Sequence, residues 1–193
     1  KLIQNGKKNN QYRKLIRGSD VKKYRIEYNN EFILYDRDKM NRARPDELWR
    51  ASKKIFIQRI TGGNNPLVCS IDTNKLLGFA STNILLIHKE YENNYSYEFL
   101  SAILNSKLIN YFYSVTFSNF SKLTVNISTS YLEEIPIPKI NSRTSPIIKN
   151  IELTYKKEIK EKKNYNIKLI DKLIYDLYEI KKDDLKTINK QDE

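Results

Sequence analysis

Cysteine and histidine are nearly missing from this 193-residue sequence, which contains one of each, Cys69 and His88. A single cysteine cannot form a disulfide within the chain and fits a reducing compartment, so we expect a cytoplasmic protein. One cysteine and one histidine are also too few ligands for an ordinary structural zinc site. Because apolar residues surround Cys69, we interpret it as a small buried residue.

Long hydrophobic runs are also missing. No apolar stretch approaches the roughly 18 residues of a candidate transmembrane helix. No cationic segment followed by an apolar one resembles a signal peptide. We therefore expect no membrane partner. The sequence starts at Lys1 rather than at methionine, and we expect it to be a piece of a longer polypeptide.

The motifs that hold phosphates or catalytic metal ions are not found either. The chain has five glycines, and its one Gly-Gly pair is followed by two asparagines rather than by the Gly-Lys-Ser/Thr of a phosphate loop. Asp36 and Asp38 have no visible carboxylate partner of the kind that a nuclease metal site requires. We expect this chain by itself to be non-catalytic and to hold no metal and no cofactor.

Acidic residues are scarce in the first third of the chain. Residues 1–60 contain 17 Lys and Arg against 7 Asp and Glu, residues 61–145 contain 6 against 6, and residues 146–193 contain 12 against 10. A one-sided excess of cations attracts polyanions and predicts a nucleic-acid partner. An AT-rich coding sequence would explain the lysines, but it explains less well why the arginines crowd into the same third.

The hydrophobic patterns predict an α+β fold with a mixed, largely antiparallel sheet and packed helices, followed by a C-terminal helical, spacer-like segment. "RIEY" and "EFILY" around Asn29-Asn30 predict a hairpin. "YEFLSAILNSKLINYFYS" predicts one amphipathic helix capped by Ser96. We expect one domain over residues 1–141 and a helical tail, as a hairpin or coiled segment, over residues 142–193.

The stretch "KKIFIQRITGGNN" carries an arginine along a stiff strand into a loop with little side-chain bulk. Arginine presents a fixed fork of donors to guanine edges or phosphates, and asparagine amides suit adenine or phosphate. The open alternative is a flexible hairpin tip beside a solvated arginine. The predicted DNA contacts of this stretch are Arg59, Thr61, Asn64 and Asn65.

Two further stretches supply candidate contacts. The basic connection "DRDKMNRARP" is predicted to clamp DNA phosphates through Arg37, Lys39, Arg42 and Arg44. The polar stretch "FSNFSK" offers Ser118, Asn119 and Lys122 as further contacts. Its open alternative is a capping turn whose phenylalanines lie in the core.

Four segments follow one another in a distinctive order: "LIRGSDVKKYRI", "KKIFIQRI", "SYEFLSAILNSKLINYFY" and "YLEEIPIPKI". The series, over about residues 14–140, resembles the target-recognition (specificity) domain of the Taq-type adenine-specific DNA methyltransferases. These include fused restriction–modification enzymes and related phage-defence methyltransferases. The later "IKLIDKLIYDLYEI" resembles the usual tail of such enzymes.

The resemblance implies a module that docks on double-stranded DNA beside its own upstream catalytic domain. That domain would methylate an adenine with S-adenosylmethionine. Its Gly-rich cofactor loop and Asn-Pro-Pro-Tyr motif are not in this sequence, so S-adenosylmethionine is expected in the parent enzyme and not in this chain. Base-reading residues vary between family members, so the resemblance assigns none of them here.

Two other functions stay open. One is a basic domain that binds nucleic acid without sequence preference. The other is a protein-interaction module in which the C-terminal helices form a homodimer or a subunit contact. Apolar residues, mostly isoleucine, recur on one side of these helices between Ile147 and Leu177, and balanced charges beside such a seam suit a coiled coil.

Overall fold

A computed structural model of the chain describes residues 2–40, 43–62, 65–118, 123–160 and 167–189. Its strands are β1 (Ile3–Asn5), β2 (Tyr12–Ile16), β3 (Val21–Lys22), β4 (Arg25–Ile26), β5 (Glu31–Leu34), β6 (Lys54–Gln58), β7 (Ile60–Gly62), β8 (Cys69–Asp72), β9 (Leu77–Gly78), β10 (Thr82–Leu85) and β11 (Thr124–Asn126). Its helices are α1 (Asp46–Arg50), α2 (Tyr97–Asn105), α3 (Lys107–Tyr113), α4 (Thr129–Glu133), α5 (Thr144–Tyr155), α6 (Ile167–Leu177) and α7 (Lys182–Asn189).

The strands form two main sheets and two short ribbons. In the first sheet, of order β1-β5-β2-β9, all pairs are antiparallel except β2 with β9. The second sheet, of order β10-β6-β8, is antiparallel throughout. The ribbons are β3–β4 and β7–β11, both antiparallel. The predicted α+β fold, with a mixed and largely antiparallel sheet and C-terminal helices, is confirmed.

The predicted hairpin around Asn29-Asn30 is wrong. Strand β4 pairs with β3, and β5 lies between β1 and β2. Asn30 does take the left-handed conformation that a tight turn demands, with φ 55°. Tyr24 takes it too, at φ 66°, and so closes the β3–β4 turn before the asparagines are reached.

The long helix predicted from Ser96 onward is two helices, because the chain turns at Ser106. The Ser106 backbone is extended, with φ −70° and ψ 152°. Its hydroxyl accepts a hydrogen bond from the Ile109 N–H and donates one to the Ile103 carbonyl, at 3.2 and 2.7 Å. A serine side chain can thus end one helix and begin the next, while the apolar period of the sequence continues across the break.

The largest hydrophobic cluster joins β6 and β8 to α2, α3, α5, α6 and α7. The apolar seam of the C-terminal helices lies inside it: Ile151, Ile170 and Ile174 have no exposed surface. Fully burying each such side chain contributes about 1.5–3 kcal/mol. The seam is therefore occupied within the chain, and the predicted dimer or subunit contact cannot use it. The domain boundary at residue 141 stays a prediction.

Two buried asparagines tie the helices to the second sheet. Asn105 of α2 accepts from the Cys69 N–H at 3.1 Å and donates to the Cys69 carbonyl at 2.9 Å. Asn110 of α3 accepts from the Leu67 N–H at 2.7 Å. Each amide satisfies backbone groups that have no water to bind, so the chain segment that returns from the Gly-Gly-Asn-Asn loop is held in a fixed place.

Candidate nucleic-acid interface

The stretch predicted to read DNA leaves the second sheet at Arg59. The Arg59 N–H donates to the Ser81 carbonyl at 3.0 Å, and the Arg59 carbonyl accepts from the Ile127 N–H at 2.8 Å. These bonds hold the bend between β6 and β7 to the sheet on one side and to the end of β11 on the other. Arg59 itself is exposed.

Strand β7, which carries the predicted contact Thr61, pairs with β11. Thr124 lies opposite Gly62, and Asn126 lies opposite Ile60. Because the pair is antiparallel, the end of β7 at Gly62 lies beside the start of β11 at Thr124.

The ribbon has an inner and an outer face. Val125 is buried and lies opposite Thr61, whose buried hydroxyl oxygen has no hydrogen-bond partner among the residues that the structure describes. On the outer face, Ile60 is 59% exposed, and Thr124 and Asn126 are exposed. A DNA contact by the Thr61 hydroxyl would require the ribbon to shift, whereas the outer face is open in the structure.

For the other predicted DNA contacts of these stretches, the structure gives only their local surroundings. Asn65 is half-buried in the segment before β8. Ser118 ends a π-helical turn and donates to the Ser114 carbonyl at 3.2 Å. The DNA contacts predicted for Asn64, Asn119, Lys122 and Arg42 fall outside the residues that the structure describes. All of these contacts stay predictions.

Side chains of the predicted phosphate clamp form ion pairs with acidic residues of the protein itself. Arg37 bonds Asp46, whose carboxylate also accepts from the hydroxyl of Tyr35. Lys39 Nζ lies 2.7 Å from a carboxylate oxygen of Asp36. The hydrogen bonds from Tyr35 and Arg37 lower the pKa of Asp46, so this carboxylate stays charged and a phosphate would have to compete with it.

Arg44 is bound in a different way. Its Nη2 donates to the backbone carbonyls of Phe79, at 3.2 Å, and of Thr82. Burial, together with the positive charge of Arg59, lowers the pKa of Arg44. Arg44 and Arg59 line one cleft of about 670 Å³, here called the arginine cleft. An anion bound there would relieve the repulsion between the two guanidinium groups.

The arginine cleft opens at the base of the ribbon. Arg59 directly precedes β7, and Thr129, which follows β11 closely, also lines the cleft. The rest of its lining is mainly apolar and includes Trp49. Among the described residues that line it there is no carboxylate.

A second cleft, of about 620 Å³, shares the lining residue Trp49 with the first and is here called the basic cleft. Its described lining contains five cations and no carboxylate: Lys7, Arg13, Lys14, Arg50 and Lys75. The side chains come from β2, α1 and the turns beside β1 and β9. Both clefts are lined in part by residues of the first sheet, and the arginine cleft is the one that reaches the β7–β11 ribbon.

A comparison with protein families indicates a role for this surface. The model of the family described as TaqI-like C-terminal specificity domain matches residues 13–137. The chain belongs to this family. A search of curated proteins finds no match. The matched residues include Arg59, the ribbon and the arginine cleft's Thr129, and membership supports a role in DNA recognition.

Within this specificity domain, sequence reasoning missed the cations of the basic cleft. The excess of Lys and Arg in the first 60 residues indicated the right third of the chain. However, the cleft is assembled by the parallel pairing of Leu15 with Leu77, which brings Lys14 near the turn that contains Lys75. No local sequence pattern predicts that strand pairing.

Two classes of site are not seen in the described part of the specificity domain. No group of three or more His, Cys, Asp or Glu side chains there could hold a metal ion. In the same residues, no helix combines the length and the apolar character needed to cross a membrane.

Proposed function

We propose that this chain is the module that recognises a specific short sequence in double-stranded DNA for an adenine-specific methyltransferase of a restriction–modification system. The observation that carries the proposal is the arginine cleft at the base of the ribbon. Arg44 and Arg59 both line this cleft, with no carboxylate among the described lining residues. Burial, and after it the positive charge of Arg59, lowers the pKa of Arg44. Phosphates neutralise such paired charges, and the fork of Arg59 can bind a phosphate or a guanine edge.

The basic cleft supports contact with a polyanion. Phosphates recur every few ångströms along a duplex, and a cluster of cations can neutralise several of them. The exposed side chains of Lys14 and Lys75 supply charges in this cleft, and Arg59 supplies one in the arginine cleft. Methyl transfer and S-adenosylmethionine are assigned to the catalytic domain of the parent enzyme, beside which this module would dock.

The test is a selection from random duplexes with the whole 193-residue chain, followed by affinity measurements over a range of salt concentrations. We expect one enriched site and an affinity whose logarithm falls linearly with the logarithm of salt concentration, by about 0.9 for each phosphate contacted. Affinity without an enriched site would favour the general nucleic-acid-binding domain instead. No affinity at low salt would contradict both.

Exposed apolar side chains on α5 and α6 favour one further candidate, a protein contact through an outer face of the C-terminal helices. Leu153 of α5 is 57% exposed and Leu169 of α6 is 41% exposed, in contrast with the buried seam. A homodimer through this face would dissociate when Leu153→Lys introduces a charge. Sedimentation of the wild-type chain and of this variant, with Lys168→Ala as the control, measures that change. A monomeric wild-type chain would exclude the homodimer.

A further inference from the structure

The outer face of the β7–β11 ribbon is uncovered among the residues that the structure describes. Ile60 on this face is 59% exposed. Asn126, which lies opposite Ile60, and Thr124 are exposed on the same face. In the described part of the chain, the Asn126 side chain makes no hydrogen bond. Polar and apolar groups are thus presented together, uncovered, on one short surface.

The backbone beneath this face is fixed. Val125 and Ile127 are buried on the opposite side, at 7% and 0% exposure. The Ile127 N–H donates to the Arg59 carbonyl at 2.8 Å, and its carbonyl accepts from the amide of Asn83 at 2.8 Å. A recognition side chain has to be held in place by a rigid support, and the ribbon supplies one for Asn126.

The composition of the ribbon suits a DNA groove. Residues 59–62 and 123–128 contain no carboxylate, and Arg59 adds a positive charge at the base. The major groove is wide enough to admit a two-stranded β-ribbon. Gly62 lies opposite Thr124 and has no side chain, so a base edge can approach the threonine closely.

From these observations we propose that the ribbon enters the major groove and that its outer face reads bases, with Asn126 pairing two-pronged with an adenine and Ile60 contacting a thymine methyl group. The proposal rests on the proposed function and names its specificity-determining residues. Asparagine offers a donor and an acceptor that match adenine N7 and the adenine amino group, and apolar side chains match the thymine methyl group. Sequence reasoning placed the contacts in the adjoining loops and missed these three outer-face residues, Ile60, Thr124 and Asn126.

The experiment uses the whole chain in the duplex selection, as wild type, Asn126→Ala and Ile60→Ala. Asn93→Ala is the matched control, since Asn93 is also exposed but lies in the turn before α2. We expect Asn126→Ala to lose a preference of roughly 5- to 150-fold at one A·T position. Ile60→Ala should weaken a preference for thymine nearby, and Asn93→Ala should leave the enriched site unchanged.

A second measurement needs no variant and identifies the groove. Replacing the contacted adenine by 7-deazaadenine removes the major-groove acceptor, and 3-deazaadenine removes the minor-groove one. We expect the first analogue to weaken wild-type binding about as much as Asn126→Ala does, and to have no further effect on that variant. An effect of 3-deazaadenine alone would overturn the proposal.

The two proposals fail in different ways. If the wild-type chain enriches a site that neither Asn126→Ala nor Ile60→Ala alters, the ribbon does not read bases, but sequence-specific recognition stands. If the wild-type chain enriches no site at all, the proposed function itself is wrong, and the role of the ribbon is wrong with it.

Discussion

Asparagine has opposite roles in two regions of this molecule. In the scaffold, Asn105 and Asn110 are fully buried and bind backbone groups of residues 67–69. On the ribbon, Asn126 is exposed and makes no hydrogen bond within the described residues. The same side chain thus completes the fold in one place and is left for a partner in the other.

The cations divide in the same way. Lys54 is fully buried against Asp72, Arg37 is paired with Asp46, and Arg44 is bonded to carbonyls. By contrast, Lys14 and Arg59 line clefts without carboxylates among the described residues. The number of charged residues in a stretch therefore does not tell how many of their side chains can bind DNA. Each variant below should affect stability or binding, according to its region.

The largest effect is expected from Asp72→Ala. Asp72 Oδ2 lies 3.3 Å from Lys54 Nζ, and neither side chain has exposed surface. Removing the carboxylate leaves a buried ammonium group without its counter-charge, which should reduce the free energy of unfolding by about 3–5 kcal/mol. Urea unfolding measures the loss. The double variant Lys54→Met/Asp72→Asn should recover most of it; an equal loss in both would contradict an electrostatic cause.

A smaller loss of stability is expected from Asn105→Ala. The change removes the acceptor of the buried Cys69 N–H and one of the donors to the Cys69 carbonyl, which keeps the N–H of Tyr24, at a cost of about 1–3 kcal/mol. Asn126→Ala is the matched control and should unfold at the same urea concentration as the wild type. If the two variants were equally destabilised, the division between scaffold and ribbon would be wrong.

Arg44→Ala and Arg59→Ala should separate the two roles of arginine. Arg44 is bonded to Phe79 and Thr82, so its loss should lower stability. Arg59 is exposed, so its loss should spare stability. If Arg59 reads a base, Arg59→Ala should weaken binding by about 1–3 kcal/mol at one base position. Thermal melts and binding of the selected site measure both changes. An unchanged specific complex would remove Arg59 from the interface.

A modest difference is expected between Lys14→Ala and Arg37→Ala. Lys14 lines the basic cleft, so its loss should flatten the slope of log affinity against log salt by about 0.9. Arg37 is already paired with Asp46, so its loss should flatten the slope less. Titrations of salt with Lys168→Ala as the control measure the slopes. A larger change for Arg37 would restore the basic connection as the main phosphate clamp.

The smallest effect concerns alkaline pH. Burial raises the pKa of the Cys69 thiol to about 12, whereas a thiol in an unfolded chain ionises near 8.5. Between these values the unfolded chain releases a proton that the folded chain keeps, so the free energy of unfolding falls as the pH rises. Urea unfolding at pH 8 and pH 10 should show a steeper fall for the wild type than for Cys69→Ala. Equal falls would mean that the folded thiol ionises normally.

Much of the fold could be predicted because it follows local patterns. Ser96 caps α2 as its position predicts, with its oxygen accepting from the Phe99 N–H at 3.1 Å. The break at Ser106 could not be predicted, because serine suits a cap, a turn or a helix surface equally. Packing against the neighbouring strand determines which of the three it forms. The mistaken hairpin at Asn29-Asn30 has a similar cause. A turn-forming sequence does not determine which strand will pair with the strand that follows it.

The sequence indicated part of the candidate site. Arg59, which lines the arginine cleft, could be singled out because an arginine that follows an apolar strand is visible in the sequence. Its contact with DNA stays a prediction. The basic cleft was missed, and so was the engagement of Arg37 and Lys39 with acidic partners, since both depend on which segments meet.

By itself the sequence determined the class of fold, the concentration of cations in the first third and the family motifs. Composition and the short repeats of apolar residues are local properties, so they can be read within a few residues. Only the tertiary structure decided that Gly62 lies opposite Thr124, 62 positions later, and that Arg59 therefore stands at the base of a two-stranded ribbon. Strand pairing joins backbone groups that every residue carries, so the choice of partner comes from the packing of the whole chain.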